Sequence, residues 1–225
     1  GYRSFQFNDT CNSTPTGEKP ESKLWWNDGI WWGSMCPAAP STVTGYTIHR
    51  FDPVTQDWSD TGIALDNRAN SKADILWNGD KLFVASHVFT NVGGSTGAAQ
   101  QSRLYRYSYS TISKNYMLDS GFPVTITGGR SETLVIDQSK NGDLWITYVE
   151  SNRVMMNRST NDGSTWGTPF LLPVPGADDV DSDDISALIA FDHALPTGKI
   201  GVLWSNQEDE RMYFAVHNDG DPLNV

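Results

Sequence analysis

This chain of 225 residues contains an internal repeat of four units, which limits the architectures open to it. Four segments each begin with Ser and a charged residue, enter an apolar strand, turn on Asn, Asp or Gly, and continue into a second apolar strand. They start at intervals of about 50 to 60 residues, a period typical of stacked structural units. The segments are SKLWWNDGIWWGS from Ser22, SKADILWNGDKLFVAS from Ser71, SETLVIDQSKNGDLWITY from Ser131 and SDDISALIAFDHALPTGKIGVLW from Ser182.

Further strands follow in each unit. A third strand is predicted in GYTIHRF from Gly45, RLYRYSY from Arg103, RVMMNRS from Arg153 and RMYFAVH from Arg211. Three units then show a fourth strand, in WSDTGIAL from Trp58, YMLDSGFPVTI from Tyr116 and WGTPFLLPV from Trp166. The sequence therefore predicts an all-β fold, a β-propeller of four-stranded antiparallel blades with about four blades visible.

The repeat also sets the predicted domain boundaries. Residues 1–20 are expected to form an N-terminal strand and loop, and 21–225 the blades, at approximately 21–66, 67–126, 127–180 and 181–225. The last blade is incomplete, because no outer strand follows NDGDPLNV. Either the chain is part of a larger propeller, or YRSFQF from Tyr2 supplies the missing strand and closes a four-bladed ring.

The turn in the third unit carries a motif. Ser159, Asn161, Gly163, Thr165 and Trp166 resemble the Asp-box, Ser-x-Asp-x-Gly-x-Thr-Trp, of the sialidase (BNR-repeat) superfamily, with Asn in place of the usual Asp. An Asn side chain can bond the backbone ahead of it, Gly supplies a positive φ, and Trp covers the apolar flank of the hairpin. The resemblance implies a structural turn on the propeller rim, and its six-bladed members favour a larger propeller.

Function is expected where the first strand of each unit begins, because the loops there line the central face of a propeller. Charged residues of both signs recur at this phase. Cations could bind acidic groups of a sugar, while carboxylates accept hydrogen bonds from its hydroxyl groups or serve in acid/base catalysis. The predicted ligand-binding residues are Lys23, Arg68, Lys72, Arg130 and Asp183, and the predicted catalytic residues are Asp74, Glu132 and Asp184. The alternative is that these polar groups solvate the channel and pair with one another.

The resemblance to sialidases implies an arginine triad, a Tyr nucleophile assisted by Glu, and an Asp acid/base. Only Arg68 and Arg130 occur at positions in the repeat that suit the triad, near the start of a first strand. Tyr148 is a candidate nucleophile, with packing as its alternative role. The sequence leaves open whether the chain is an enzyme; if it is, a sialidase-like glycoside hydrolase is the predicted class.

The composition of the chain limits the classes of partner that it is expected to bind. The net charge is -11 and no Lys/Arg cluster is present, which argues against nucleic acid. No stretch approaches the roughly 18 apolar residues of a membrane span. Cys11 and Cys36 could form a disulfide, with two free thiols as the alternative. Together with Asn-x-Ser/Thr triplets at Asn8, Asn12 and Asn157, they favour a secreted or cell-surface protein.

No cofactor is predicted, and the histidines lack metal-ligand spacing. The acidic run from Asp178 to Asp184 could hold calcium, or it is an exposed acidic turn. Three functions remain open: carbohydrate recognition at the central face, exo-acting glycoside hydrolysis, and adhesion or assembly by docking another chain. In the last case a partner chain or the remaining blades would complete the propeller.

Overall fold

The computed structural model describes residues 19, 21–37, 45–90, 97 and 99–223, and these form four antiparallel sheets. Sheet 1 contains β1 (Leu24–Asn27), β2 (Ile30–Met35), β3 (Tyr46–Asp52) and β4 (Asp57–Asp66). Sheet 2 contains β5 (Ser71–Trp77), β6 (Lys81–Val88), β7 (Arg103–Ser110), β8 (Asn115–Leu118) and β9 (Val124–Thr125). Sheet 3 contains β10 (Val135–Gln138), β11 (Leu144–Glu150), β12 (Arg153–Ser159) and β13 (Phe170–Leu171). Sheet 4 contains β14 (Ser186–Phe191), β15 (Lys199–Asn206) and β16 (Arg211–Asn218).

The first strands of each sheet pair in chain order through short hairpins. In sheet 1, for example, Asn27 pairs with Ile30 across Asp28 and Gly29, which both have positive φ, as a tight two-residue hairpin requires. The all-β prediction is confirmed, and each sheet lies within the residue range of one repeat unit. The described residues of the fourth unit contain three strands; the predicted ring-closing strand from Tyr2 lies outside the described residues.

The outer strands of sheets 2 and 3 are shorter than predicted, whereas β4 covers the whole predicted segment. The segment expected to be one strand from Tyr116 is divided into β8 and β9, both paired with β7. Asp119 turns the chain between them, because its carboxylate accepts hydrogen bonds from Arg106 and Ser108 on β7. In sheet 3 the fourth strand is reduced to β13, which lies between Pro169 and Pro173, and proline has no N–H for the ladder.

The sheets stack face to face in chain order. One apolar core lies between sheets 1 and 2, a second between sheets 2 and 3, and a third between sheets 3 and 4. First strands of neighbouring sheets contact each other, β1 with β5, β5 with β10, and β10 with β14. This stacking brings the starts of the four first strands to one end of the molecule, called here the strand-start end.

The four tryptophans of the first hairpin alternate as expected for a strand pair. Trp25 and Trp32 are buried against sheet 2, whereas Trp26 and Trp31 are about half exposed on the opposite face. Trp25 donates a hydrogen bond from its indole N–H to the Tyr116 hydroxyl across the interface. Two tryptophans therefore join the first two sheets, and two lie on the free face of sheet 1.

Candidate functional site

Charged side chains are buried at the strand-start end, beginning with Glu21, just before β1. One Glu21 carboxylate oxygen lies 2.5 Å from Nε2 of His87 at the end of β6, and the other lies 3.0 Å from Nζ of Lys23. Burial raises the pKa of Glu21, but His87 and Lys23 outweigh it and lower the pKa to about 2. Glu21 is therefore a buried carboxylate held ionised by two partners on different elements.

Asp74 in β5 joins three sheets. One carboxylate oxygen accepts a hydrogen bond from the backbone N–H of Ser22, and the other accepts one from the N–H of Ile136 at 2.9 Å. Burial raises the pKa of Asp74 to about 7, against the effect of these two hydrogen bonds and with a contribution from the Glu21 charge. Both oxygens of Asp74 therefore bond backbone N–H groups of neighbouring sheets, and its predicted catalytic role stays a prediction.

Sheets 2 and 3 are linked around Phe89, which follows β6. Lys72 is buried with its ammonium 3.7 Å from the centre of the Phe89 ring, and Arg130 donates a hydrogen bond to the Phe89 carbonyl at 2.6 Å. A parallel bridge pairs Phe89 with Ser131, whose carbonyl lies 2.8 Å from Nδ1 of His87. Of the predicted ligand-binding residues, Lys23, Lys72 and Arg130 are thus brought together with Glu21.

Glu132 extends the cluster toward sheet 4. Its carboxylate lies 2.5 Å from Nζ of Lys19, and its side chain also interacts with Asp183. Burial raises the pKa of Glu132, the Lys19 ammonium lowers it, and the Asp183 carboxyl raises it again, with a net upward shift. Asp183 is exposed whereas Glu132 is buried, so this pair connects the interior of the cluster with its surface.

Four consecutive residues leave buried polar atoms without a hydrogen-bond partner in the described part of the chain. These atoms are Nε of Arg130, Oγ of Ser131, Oε2 of Glu132 and Oγ1 of Thr133. Such groups are normally satisfied in folded proteins, because an unpaired buried polar group costs about 1 to 3 kcal/mol. Elsewhere, similar atoms occur at side chains such as Trp145 and Trp166, or on the neighbours His217 and Asp219. At the strand-start end, such atoms are concentrated in the run from Arg130 to Thr133.

Two further predicted site residues form hydrogen bonds within the fold. Arg68 forms a forked ion pair with Asp66, with Nη2 at 2.6 Å from Oδ2, and also donates to the carbonyl of Gln101. Asp184 uses Oδ2 to accept hydrogen bonds from the backbone N–H groups of Asp181 and Gln207. Its other carboxylate oxygen is buried and without a hydrogen-bond partner. The predicted catalytic role of Asp184 stays a prediction.

No group of three or more His, Cys, Asp or Glu side chains in the described ranges is arranged to hold a metal ion. In the acidic run, Asp181 accepts a hydrogen bond from the N–H of Asp183, and Asp184 caps the same turn. These bonds order the backbone of the turn. The prediction of calcium between Asp178 and Asp184 stays a prediction.

The turn between β12 and β13 is held by the residues of the Asp-box-like motif. Oγ of Ser159 accepts a hydrogen bond from the N–H of Gly163 at 3.0 Å. Asn161 accepts one from the N–H of Thr165 at 2.9 Å and donates one to its hydroxyl at 2.8 Å. Trp166 packs at the edge of the core between sheets 2 and 3. These side chains organise a hairpin at the end of sheet 3 opposite the strand-start end.

Three further predictions concern side chains whose surroundings are now defined. Asn157 is buried, and its amide donates to the carbonyl of Ile126, so the folded chain cannot present it as a glycan acceptor. Tyr148 is also buried, in the core between sheets 2 and 3, which corresponds to its alternative packing role. Cys36 is disulfide-bonded, and Cys11 lies outside the described residues.

The sequence argument missed several members of the cluster, namely Lys19, His87, Ser131 and Thr133. One usable signal was Ser86-His87 at the end of β6, a polar pair within the otherwise apolar run LFVASHVF. Two pockets lie at the outer strands of sheets 3 and 4, lined by residues such as Phe170 and Leu223.

Comparison with known proteins gave matches only at the level of structure. No protein-family model matches the chain, and no curated protein matches it. A polysaccharide lyase of family PL25, an ulvan lyase solved with a bound GlcA(1-4)Rha3S saccharide, aligns with a TM-score of 0.50 and 13% identity over 89% of this chain and 48% of the lyase. A second structure of a PL25 ulvan lyase aligns with a TM-score of 0.50 and 12% identity over 86% of this chain and 47% of the lyase.

A mutant of AofleA from Arthrobotrys oligospora aligns with a TM-score of 0.38 and 8% identity over 88% of this chain and 68% of that protein. The chain thus spans about half the length of the ulvan lyases, and its likeness to them is one of fold. The described residues include no helix with the length and apolar character of a membrane span.

Proposed function

We propose that the four sheets are consecutive blades of a β-propeller. The sheets follow one another in chain order, each with its first strand against the first strand of the next. Asp74 and Asp137 support this arrangement, because their carboxylates accept backbone hydrogen bonds from neighbouring sheets at the first strands. Among the outer strands, β4 and β8 also approach each other.

We further propose that the chain recognises carbohydrate at the strand-start end. The run of buried polar atoms from Arg130 to Thr133 carries this proposal. A sugar presents several hydroxyl groups that donate and accept hydrogen bonds, and these can pair with the Ser131 and Thr133 hydroxyls and the Glu132 carboxylate. The cost of desolvating these groups would then be offset when the ligand binds.

The cations of the cluster favour an acidic sugar. Lys19 and Lys23 are both partly exposed, with side-chain exposures of 17% and 16%, and Arg130 begins the buried run. Lys and Arg bind carboxylate and sulfate groups through charge-assisted hydrogen bonds. We therefore propose a uronate- or sulfate-bearing polysaccharide as the ligand. The saccharide in the aligned ulvan lyase supplies a specific probe.

We propose binding in preference to hydrolysis. A retaining glycosidase places its two carboxyl groups about 5 to 5.5 Å apart and an inverting one about 6.5 to 9.5 Å apart. Here Glu132 and Asp183 interact directly, and both oxygens of Asp74 are bonded to backbone N–H groups. Among the described residues, none of these contacts identifies a hydrolytic pair.

Family and location belong to the same proposal. We propose a distant relationship to the Asp-box propellers, supported by the Ser159 and Asn161 hydrogen bonds that organise the turn. We also propose a secreted or cell-surface location, which the disulfide of Cys36 supports, because disulfides persist in oxidising compartments.

The test is calorimetric titration with a GlcA(1-4)Rha3S oligosaccharide, comparing wild type with Thr133→Val and Thr147→Val. Val keeps the side-chain shape and removes the hydroxyl in both variants. Thr133 has an unpaired hydroxyl, so Thr133→Val is expected to fold at least as stably as wild type but to bind roughly 3- to 10-fold more weakly. The Thr147 hydroxyl donates to Ser186, so the control is expected to lose about 1 kcal/mol of stability and to keep wild-type affinity.

Absence of heat and of saturation with wild type would overturn the proposed ligand. Equal affinity of wild type and Thr133→Val would show that the saccharide binds outside the run from Arg130 to Thr133. Thermal unfolding of the same samples separates these results from a loss of structure.

A further inference from the structure

A crevice lies between the outer parts of sheets 3 and 4, beside the β12–β13 turn, and it is called here the outer crevice. Its wide part has a volume of about 320 Å³. Four polar or aromatic side chains line this part: Arg158, Thr160, Thr165 and Trp166. Its narrow part, of about 50 Å³, is lined on one side by Trp145 and His217. Phe170 and Leu223 line both parts, so the two adjoin.

Three residues that line the outer crevice have a buried ring nitrogen without a hydrogen-bond partner in the described part of the chain. These atoms are Nε1 of Trp145, Nε1 of Trp166 and Nε2 of His217. An indole N–H can only donate a hydrogen bond, whereas Nε2 of a neutral imidazole either donates or accepts one. Leaving such a group unpaired costs about 1 to 3 kcal/mol, which a ligand with hydrogen-bond acceptors would offset.

The charges around the outer crevice favour a neutral ligand. Nη1 of Arg158 lies 3.4 Å from Oδ2 of Asp143, so the cation is already matched by a carboxylate. Burial lowers the pKa of His217, although the nearby Asp221 and Asp219 carboxylates raise it, so the imidazole is neutral at pH 7. An anionic ligand would therefore gain little here, because the carboxylates around the crevice would repel it.

The two parts of the outer crevice differ in size and in chemistry. The wide part is at the lower end of the range of roughly 300 to 1,000 Å³ for small-molecule sites, which suits a ligand of one ring. The narrow part has apolar walls that include Met156, Leu172 and Val202. It holds only a few non-hydrogen atoms, since one water molecule occupies about 30 Å³ in the liquid. A methyl group attached to a carbonyl fits these walls, and its oxygen can accept the unpaired ring N–H groups.

We propose that the outer crevice binds a neutral N-acetylated sugar, with the sugar ring in the wide part and the acetamido group in the narrow part. Trp166 and Phe170 present aromatic surface to the apolar side of the ring. The hydroxyl groups of Thr160 and Thr165 bond the hydroxyl groups of the sugar. The proposal does not use the strand-start end or the acidic ligand proposed there, so the failure of either test leaves the other unaffected.

The experiment is a saturation-transfer NMR titration of the full chain with the methyl glycosides of N-acetylglucosamine and N-acetylgalactosamine. Glucose and galactose glycosides are the matched sugars without the acetamido group. At least one N-acetylated sugar is expected to bind saturably and at least 10-fold more tightly than its counterpart. Its acetamido methyl protons are expected to show the strongest transfer, because the narrow part encloses them.

Two variants locate the binding. His217→Phe keeps an aromatic ring beside Trp145 and removes Nε2, and it is expected to weaken binding roughly 3- to 10-fold. Trp58→Phe, in β4 of sheet 1, is the control and is expected to bind as wild type does. Circular dichroism checks the fold of each variant, and Trp166→Phe replaces His217→Phe if that variant unfolds.

Any of four results would overturn the proposal. Neither N-acetylated sugar saturates the wild-type chain, or each binds no more tightly than its counterpart without the acetamido group. Folded His217→Phe binds with wild-type affinity, which would place the sugar outside the outer crevice. A saturating GlcA(1-4)Rha3S oligosaccharide displaces the N-acetylated sugar, which would place both at one site.

Discussion

At the residue scale, the protonation state of Asp74 affects how strongly this side chain holds neighbouring sheets together. Its carboxylate bonds the backbone of Ser22 in one direction and of Ile136 in the other, and its pKa is raised to about 7 mainly by burial. An acid whose pKa is higher in the folded than in the unfolded state binds its proton more tightly when folded. Its contribution to stability is therefore largest below its ordinary pKa of 3.8 and is lost as pH rises through about 7.

We predict that Asp74→Asn destabilises the chain, because the new NH₂ group would face a backbone N–H donor in place of an acceptor. The expected loss is about 1 to 3 kcal/mol at pH 5, and it should shrink as pH rises to 8. Urea unfolding at a series of pH values measures it. Asp80→Asn, at an exposed turn, is the matched control. A loss of stability for Asp74→Asn that is independent of pH would contradict the raised pKa of Asp74.

Site residues were predictable from the sequence only in part. Charged residues at the start of each first strand indicated Lys23, Lys72, Arg130 and Glu132, and the structure places these in or beside one cluster. The phase of a residue in the repeat could not show which carboxylates are used by the backbone, because the N–H donors to Asp74 come from two other sheets. His87 was missed because it approaches Glu21 from the end of a second strand.

At the element scale, the β12–β13 hairpin shows how a turn is coupled to the core. Gly163 has φ +76°, and a side chain added there would overlap Leu104 on sheet 2. Gly142, in the β10–β11 turn, also has positive φ, but nothing lies within 4 Å of its position for a side chain. The two glycines therefore separate the effect of backbone conformation from that of packing.

We predict that Gly142→Ala costs about 1 to 2 kcal/mol, the penalty of a left-handed backbone for an L-residue. Gly163→Ala is expected to cost about 1 to 3 kcal/mol more, because Leu104 must move. Chemical unfolding gives both values. Equal losses for the two variants would mean that the hairpin does not press against the neighbouring sheet as the structure shows.

The elements themselves were predictable where alternation is strong. The first two strands of each unit were recognisable because a buried strand pair alternates regularly between its faces. Outer strands were overestimated where local chemistry interrupts the ladder, by the Asp119 turn in sheet 2 and by Pro169 and Pro173 in sheet 3. These interruptions depend on partners and missing donors that a pattern of hydrophobic residues does not record.

At the scale of the whole molecule, the order of the sheets follows from the repeat, because each unit contributes one sheet and each sheet packs against the next. The repeat could not show what completes the array of sheets, because a partner copy and further repeat units would present the same kind of apolar side chains. The strand register assigns exposed apolar side chains to the outer faces of sheets 1 and 4. Experiments on these side chains can therefore answer that question.

The central claim, that the strand-start end recognises carbohydrate, is tested most directly by hydrogen exchange of the full chain with and without the GlcA(1-4)Rha3S oligosaccharide. We predict slower exchange on binding in peptides covering residues 21–24, 71–74 and 131–135, where the charged cluster meets the first strands. Turns at 53–56, 111–114 and 161–165, at the opposite end, should exchange at the same rate in both samples. Protection confined to those turns, or no protection at saturating oligosaccharide, would contradict the account.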